Sequence, residues 1–185
     1  MASYLVTGGA GFIGSHLAEE LLRRGHRVRV VDSLITGKRA NLAAIPAAEF
    51  VEGDLADADV AAKATAGMDY VLHQAAIPSV PRSVDDPATT NRANITATLN
   101  ILVAARAAGV KRLVYAGSSA AYGDTPTLPK HEEMPTRPLS PYALQKLVGE
   151  QYCQMFTQLY RFPTVTRGTS TCSGPGRIPD RRTPA

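Results

Sequence analysis

Cysteine is scarce in this chain: Cys153 and Cys172 are the only two, and neither stands in a CxxC or metal-ligand spacing. That excludes a disulfide framework and a cysteine-built metal centre, and it points to free thiols in a reducing compartment. No apolar run reaches membrane-spanning length, so no membrane partner is expected. The opening "MASYLVTGGAG" has neither the basic start nor the long apolar stretch of a signal peptide, and the expectation is a soluble, cytoplasmic protein. Excess charge is also thin where it would matter. Of the formal +4, the last nineteen residues supply +3, four arginines against one aspartate, which leaves +1 for everything before Arg167. A solvated tail is not a basic face, so a nucleic-acid partner is not expected.

What the 185 residues do have is an ordered alternation of strand-like and helix-like segments, enough for one ordinary domain. "SYLVTGG" is a short apolar run ending in glycines, and "FIGSHLAEELLRRG" follows with apolar residues at Phe12, Ile13, Leu17, Leu21 and Leu22. "HRVRVVD", "AEFVEGDL", "MDYVLHQAA" and "KRLVYAGS" read as further strands, and "PATTNRANITATLNILVAARAAG" as one long helix stopped by Gly109. A Pro-rich loop leads into a helix from about Pro141 to Leu159, and "FPTVT" begins one more strand. Strands alternating with helices predict parallel pairing and a doubly wound α/β sheet of the Rossmann type.

"TGGAGFIG" places Gly8, Gly11 and Gly14 between the first strand and the first helix. Glycines there allow a tight turn and the close approach of a pyrophosphate, whose charge meets the unpaired N–H groups of the helix start. Asp32 ends the second strand, where a carboxylate accepts both hydroxyls of an adenosine ribose and repels a 2′-phosphate. The predicted cofactor is therefore NAD rather than NADP. Lys38 and Arg39 follow closely enough to reach a phosphate and temper that preference. "SPYALQK" sets Tyr142 and Lys146 four apart on one helix face. A free phenol, with a pKa of roughly 10, is a poor base at neutral pH, and a neighbouring ammonium is expected to lower it. "YAGSSAAYG" closes the preceding strand with small and hydroxyl-bearing residues.

The GxxGxxG spacing resembles the short-chain dehydrogenase/reductase superfamily, and "GGAGFIGSHL" looks like its extended branch, the NAD-dependent epimerase/dehydratase family. "HQAAIPSVPRS", "YGDTPTLPKHEE" and "RPLSPYALQK" look most like the branch containing UDP-N-acetylglucosamine and UDP-glucose 4-epimerases. The resemblance implies that Phe12 and Ile13 of the glycine turn, with Asp54, Leu55, Ala75 and Ala76, border the cofactor. It makes Ser118, Tyr142 and Lys146 the catalytic set, with Tyr142 and Lys146 also touching NAD. Ser118 then hydrogen-bonds the substrate oxygen while Tyr142 exchanges the proton, and Ser119 is its neighbour and a second contact. Ser79, Ser83 and Asn94 are implied substrate contacts, whereas Arg82 reads equally well as a solvated loop charge. No metal site is expected.

The implied reaction is transient oxidation of a UDP-sugar at C4, hydride passing to NAD and returning to the other face of the keto-sugar. A 4,6-dehydratase of this family has an Asp-Glu pair directly after the catalytic Ser/Thr. Here Ser119-Ala120 stands in that place, so a dehydratase is not expected. A sugar-nucleotide reductase shares the same triad. A homodimer of the full-length form is implied, through the two long helices.

After Thr166 the pattern breaks: "RGTSTCSGPGRIPDRRTPA" has few apolar residues. One synonymous codon choice for "RGTSTCSGPGRIP" reads, in the neighbouring frame, as "RYFNVFGPRQDP", which resembles the strand and loop with which the family continues. The expectation is an NAD-binding domain over residues 1–166, a frameshifted and disordered tail over 167–185, and no substrate domain. Such a truncated chain is expected to be inactive, which leaves a non-catalytic NAD-binding remnant as the alternative.

Overall fold

The computed structural model describes residues 1–125, 131 and 133–168. Six strands form one all-parallel sheet in the order β3-β2-β1-β4-β5-β6. They are β1 (Ser3–Thr7), β2 (Arg27–Asp32), β3 (Glu49–Glu52), β4 (Tyr70–His73), β5 (Arg112–Ala116) and β6 (Thr164–Arg167). The helices are α1 (Phe12–Arg23), the single turn α2 (Arg39–Leu42), α3 (Ala58–Thr65), α4 (Val80–Asp85), α5 (Pro87–Asn91), α6 (Ala97–Ala107) and α7 (Pro141–Tyr160).

Alternation along the central strands sends successive side chains to opposite faces. Leu5, Val31 and Val71 face a core built with Ala61 of α3, Ile101 and Leu102 of α6 and Phe156 of α7. Val6, Val28 and Val30 face a smaller core with Ala18 of α1 and Ile45. Helices on both faces explain why these strands are apolar throughout instead of half polar. The chain leaves β1 toward β2 on one side and returns to β4 on the other, so the order of strands reverses between β1 and β4. In open α/β sheets the crevice at such a reversal, outside the carboxyl ends of the strands, is where ligands bind.

Two sequence expectations are modified. The long helix from Pro87 divides: a π-helical turn over Arg92–Thr96 separates α5 from α6 and carries buried Asn94 at its centre. The wider turn shifts the phase of the side chains, which the spacing of apolar residues alone does not reveal. The sheet also runs past Thr166. Arg167 pairs with Ala116, and its carbonyl accepts the Gly117 N–H at 2.8 Å. Ladder bonds use backbone atoms, so an arginine closes the strand as well as an apolar residue does. The rest of the predicted tail, residues 169–185, lies outside the described residues.

Candidate functional site

The crevice at the strand reversal is a cleft of about 690 Å³. Its floor begins at the β1–α1 turn. Gly8 has a φ of +66°, and a Cβ there would lie 2.9 Å from the Cα and N of Ala75, so the backbones of β1 and β4 approach only because Gly8 has none. Gly14 is under greater pressure, since a Cβ at that position would stand 2.2 Å from the Gly8 carbonyl oxygen. Helix α1 starts on Gly11 with no side-chain cap and no acidic residue in its first turn. Helices α3 and α7 are instead capped by Asp57 and Ser140. Uncapped N–H groups opening into a cleft are a seat for an anion.

Asp32, 9% exposed, accepts the Ala10 N–H on one carboxylate oxygen at 3.0 Å and the Leu34 N–H on the other at 2.8 Å. Each oxygen keeps a further lone pair for a hydroxyl. Asp54 stands on the rim, held by the Ala56 N–H and by an ion pair with Arg92 at 3.0 Å. Of the basic pair expected near Asp32, Arg39 is committed to Glu52 and lies over the Phe50 ring.

From the other side α7 delivers Tyr142 and Lys146. Ser140 caps the helix by accepting the Ala143 N–H at 3.1 Å, an interaction worth about 1 kcal/mol. The Ser118 side chain lines the cleft with Tyr142 and accepts the Ala120 N–H at 3.2 Å. Lys146 is 4% exposed, and burial pushes its ammonium down to about 8. Burial pushes the Tyr142 phenol above its ordinary value, with the Ser118 hydroxyl acting the other way. This reverses the expectation of a lowered phenol. Desolvation disfavours the phenolate, and burial disfavours the charge of the neighbouring lysine as well.

The structure brings Gly8, Gly11, Phe12, Ile13, Gly14 and Asp32 together in the cleft wall. Asp54, Leu55, Ala75, Ala76, Ser118, Ser119, Tyr142 and Lys146 line the same cleft. Ser79, Ser83 and Asn94, expected to meet a substrate, do not line it. Ser79 caps α4 by accepting the Arg82 N–H at 3.2 Å. Ser83 is fully buried, donates to the Val80 carbonyl at 2.7 Å and accepts the Tyr142 N–H at 3.0 Å, so it fixes where α7 begins. Asn94, 1% exposed, holds Ile77 through both its N–H and its carbonyl and donates to Gln145 at 2.8 Å. These residues support the wall from behind.

Four supporting residues had escaped the sequence reading: Thr7, His73, Tyr115 and Gln145. Thr98 donates to the Asn94 carbonyl at 2.6 Å, so it can only accept from His73 Nε2 at 3.0 Å. Nδ1 is then the acceptor of the Thr7 hydroxyl at 2.7 Å, and Thr7 in turn accepts the N–H groups of Gln74 and Ala75, each at 3.1 Å. Burial pushes His73 down to about 3, so the ring stays neutral and this relay fixes the β4 end of the cleft. Polar residues at inward positions of "SYLVT" and "YVLH" were the available signal. Among the described residues no helix is long and apolar enough to cross a membrane, and no cluster of His, Cys, Asp and Glu is placed to hold a metal ion.

Residues 4–185 match the family model described as "NAD dependent epimerase/dehydratase family". UDP-glucose 4-epimerase of Mycolicibacterium smegmatis is 40% identical over 180 residues, 95% of this chain and 58% of that protein. Among solved structures, UDP-N-acetylglucosamine 4-epimerase of Methanobrevibacter ruminantium superposes with a TM-score of 0.84 at 38% identity, over 89% of this chain and 53% of that one. The dTDP-glucose 4,6-dehydratase DesIV of Streptomyces venezuelae, solved with NAD bound, gives 0.85 at 35% identity, over 90% and 55%. The chain thus spans about half the length of the relatives it matches.

Proposed function

Because the chain belongs to the NAD dependent epimerase/dehydratase family, we propose that its cleft binds NAD and serves the C4 epimerisation of a UDP-sugar of the UDP-glucose or UDP-N-acetylglucosamine kind. The observation that carries this reading is the meeting, in one cleft, of an uncapped glycine turn, the Asp32 carboxylate and the Ser118–Tyr142–Lys146 set. The residues fit the cofactor: the α1 N-terminus receives the pyrophosphate, and Asp32 takes the adenosine ribose hydroxyls. When bound, NAD supplies a two-electron acceptor for the sugar's C4 hydrogen. Tyr142 exchanges the proton of the C4 hydroxyl, and Ser118, on the same cleft wall, brackets the same oxygen. Lys146 supplies positive charge on the Tyr142 side of the cleft. In the place of an Asp-Glu pair stand Ser119 and Ala120, which offer no carboxylate for dehydration.

The test is conversion of UDP-glucose and UDP-N-acetylglucosamine to their C4 epimers, followed by product chromatography. Turnover abolished by Tyr142→Phe supports the reading. Tight NAD binding with no turnover instead identifies a non-catalytic NAD-binding protein. That second reading is favoured by the position of Ser79, Ser83 and Asn94 off the cleft wall.

The cellular place proposed is the cytoplasm, and the partner is a second copy, docked through α6 and α7, where Val103, Met155 and Leu159 stand exposed. The break in composition after Thr166 we attribute to a single-base deletion at codon 167. Resequencing the coding DNA through that codon decides it: a neighbouring frame encoding RYFNVFGP supports the deletion, and its absence removes it.

A further inference from the structure

Lys146 reaches the cleft from a nearly water-free surround. Its ammonium lies 4.4 Å from the centroid of the Tyr115 ring, at the end of β5. Tyr115 is 1% exposed and held in place. Its hydroxyl approaches the Lys146 carbonyl at 3.3 Å, its ring lies 5.7 Å from that of His73, and Gly149 leaves space where a Cβ would stand 2.3 Å from the hydroxyl oxygen. The titratable groups facing this pocket are His73 from β4, Tyr115 from β5, and Tyr142, Glu150 and Cys153 on α7. Burial keeps His73 neutral and pushes Tyr115, Tyr142 and Cys153 upward, and the ammonium lies over the face of the Tyr115 ring. The face of an aromatic ring is negative, and it attracts a desolvated ammonium more strongly than a solvated one.

We propose that Tyr115 is a positioning residue for Lys146: its ring face seats the ammonium and aims it at the cleft beside Tyr142, and Gly149 leaves the room that the ring needs. The use of that seat in cofactor binding rests on the proposed function, but the seat itself does not.

The experiment separates the two. Tyr115→Phe keeps the ring, and mono-, di- and trifluorinated phenylalanines at the same position withdraw ring electron density with little change of shape. Lys146 is followed by NMR of the lysine side-chain ε-methylene, assigned with Lys146→Met, and NAD affinity by calorimetry. Tyr115→Phe should leave the Lys146 titration midpoint close to that of the unsubstituted protein. Successive fluorines should lower it, by roughly half to one pH unit over the series. NAD affinity should fall in step, by roughly threefold to tenfold. A midpoint that does not move across the fluorine series overturns the proposal. A protein that shows no NAD binding at all, yet retains the graded midpoint, keeps the seat and overturns the functional reading.

Discussion

Replacing Lys146 by methionine should make the fold more stable, because the lysine occupies a place that burial makes unfavourable for charge. Its ordinary pKa of 10.5 falls to about 8 in the folded protein. A group held below its unfolded value costs the fold whenever solvent pH keeps it protonated in the unfolded chain. The cost is complete below about pH 8 and fades as pH rises toward 10.5. A difference of this size corresponds to about 3 kcal/mol at pH 7. Methionine is apolar and similar in length, and its thioether packs well against an aromatic ring such as Tyr115. Lys146→Met should therefore raise the melting temperature at pH 7 by on the order of 5–10 °C for a chain of this size. At pH 10 most of that gain should vanish. The assay is paired thermal unfolding of the two proteins by circular dichroism across pH 6.5–10, taking the difference at each pH so that other titrating groups cancel. A variant that is less stable at pH 7, or a difference that does not shrink with rising pH, would refute the reasoning.

Three further outcomes follow from the same geometry. Gly14→Ala places a methyl against the Gly8 carbonyl, so NAD affinity measured by calorimetry should drop at least tenfold while the far-ultraviolet spectrum is kept. Asn94→Leu strands the Ile77 N–H and carbonyl and the Gln145 side chain, and urea unfolding should show a loss on the order of 3 kcal/mol. Cys153, 1% exposed with its thiol pushed up to about 12, should resist alkylation at pH 8 until denaturant is added, as read by peptide mass mapping.

The sheet and the meeting of the glycine turn, Asp32, Tyr142 and Lys146 in one cleft were legible because their signals are local. The glycine turn, Asp32 closing "HRVRVVD" and the Tyr142–Lys146 spacing each lie within a few residues, and backbone geometry places them directly. The supporting wall was not legible, since it is made by contacts between distant segments. Ser83 meets Tyr142 across 59 positions and Asn94 meets Gln145 across 51, so their hydroxyl and amide read like substrate contacts until the π turn and α4 are in place. Helices α3 and α4 went unread because "ADVAAKAT" and "VPRSVD" are short and weakly apolar, and tertiary packing decides them. The direction of the Tyr142 shift was misjudged for a related reason. Spacing shows a lysine nearby, whereas the burial that raises the phenol is a property of the folded chain.

The measurement that bears most directly on the account is calorimetric titration of the purified chain with NAD and, in parallel, NADP. An uncapped α1 N-terminus beside the Asp32 carboxylate requires saturable NAD binding, with NADP weaker by roughly tenfold or more because its 2′-phosphate meets that carboxylate. Absence of NAD binding, or an equal affinity for both dinucleotides, would contradict it.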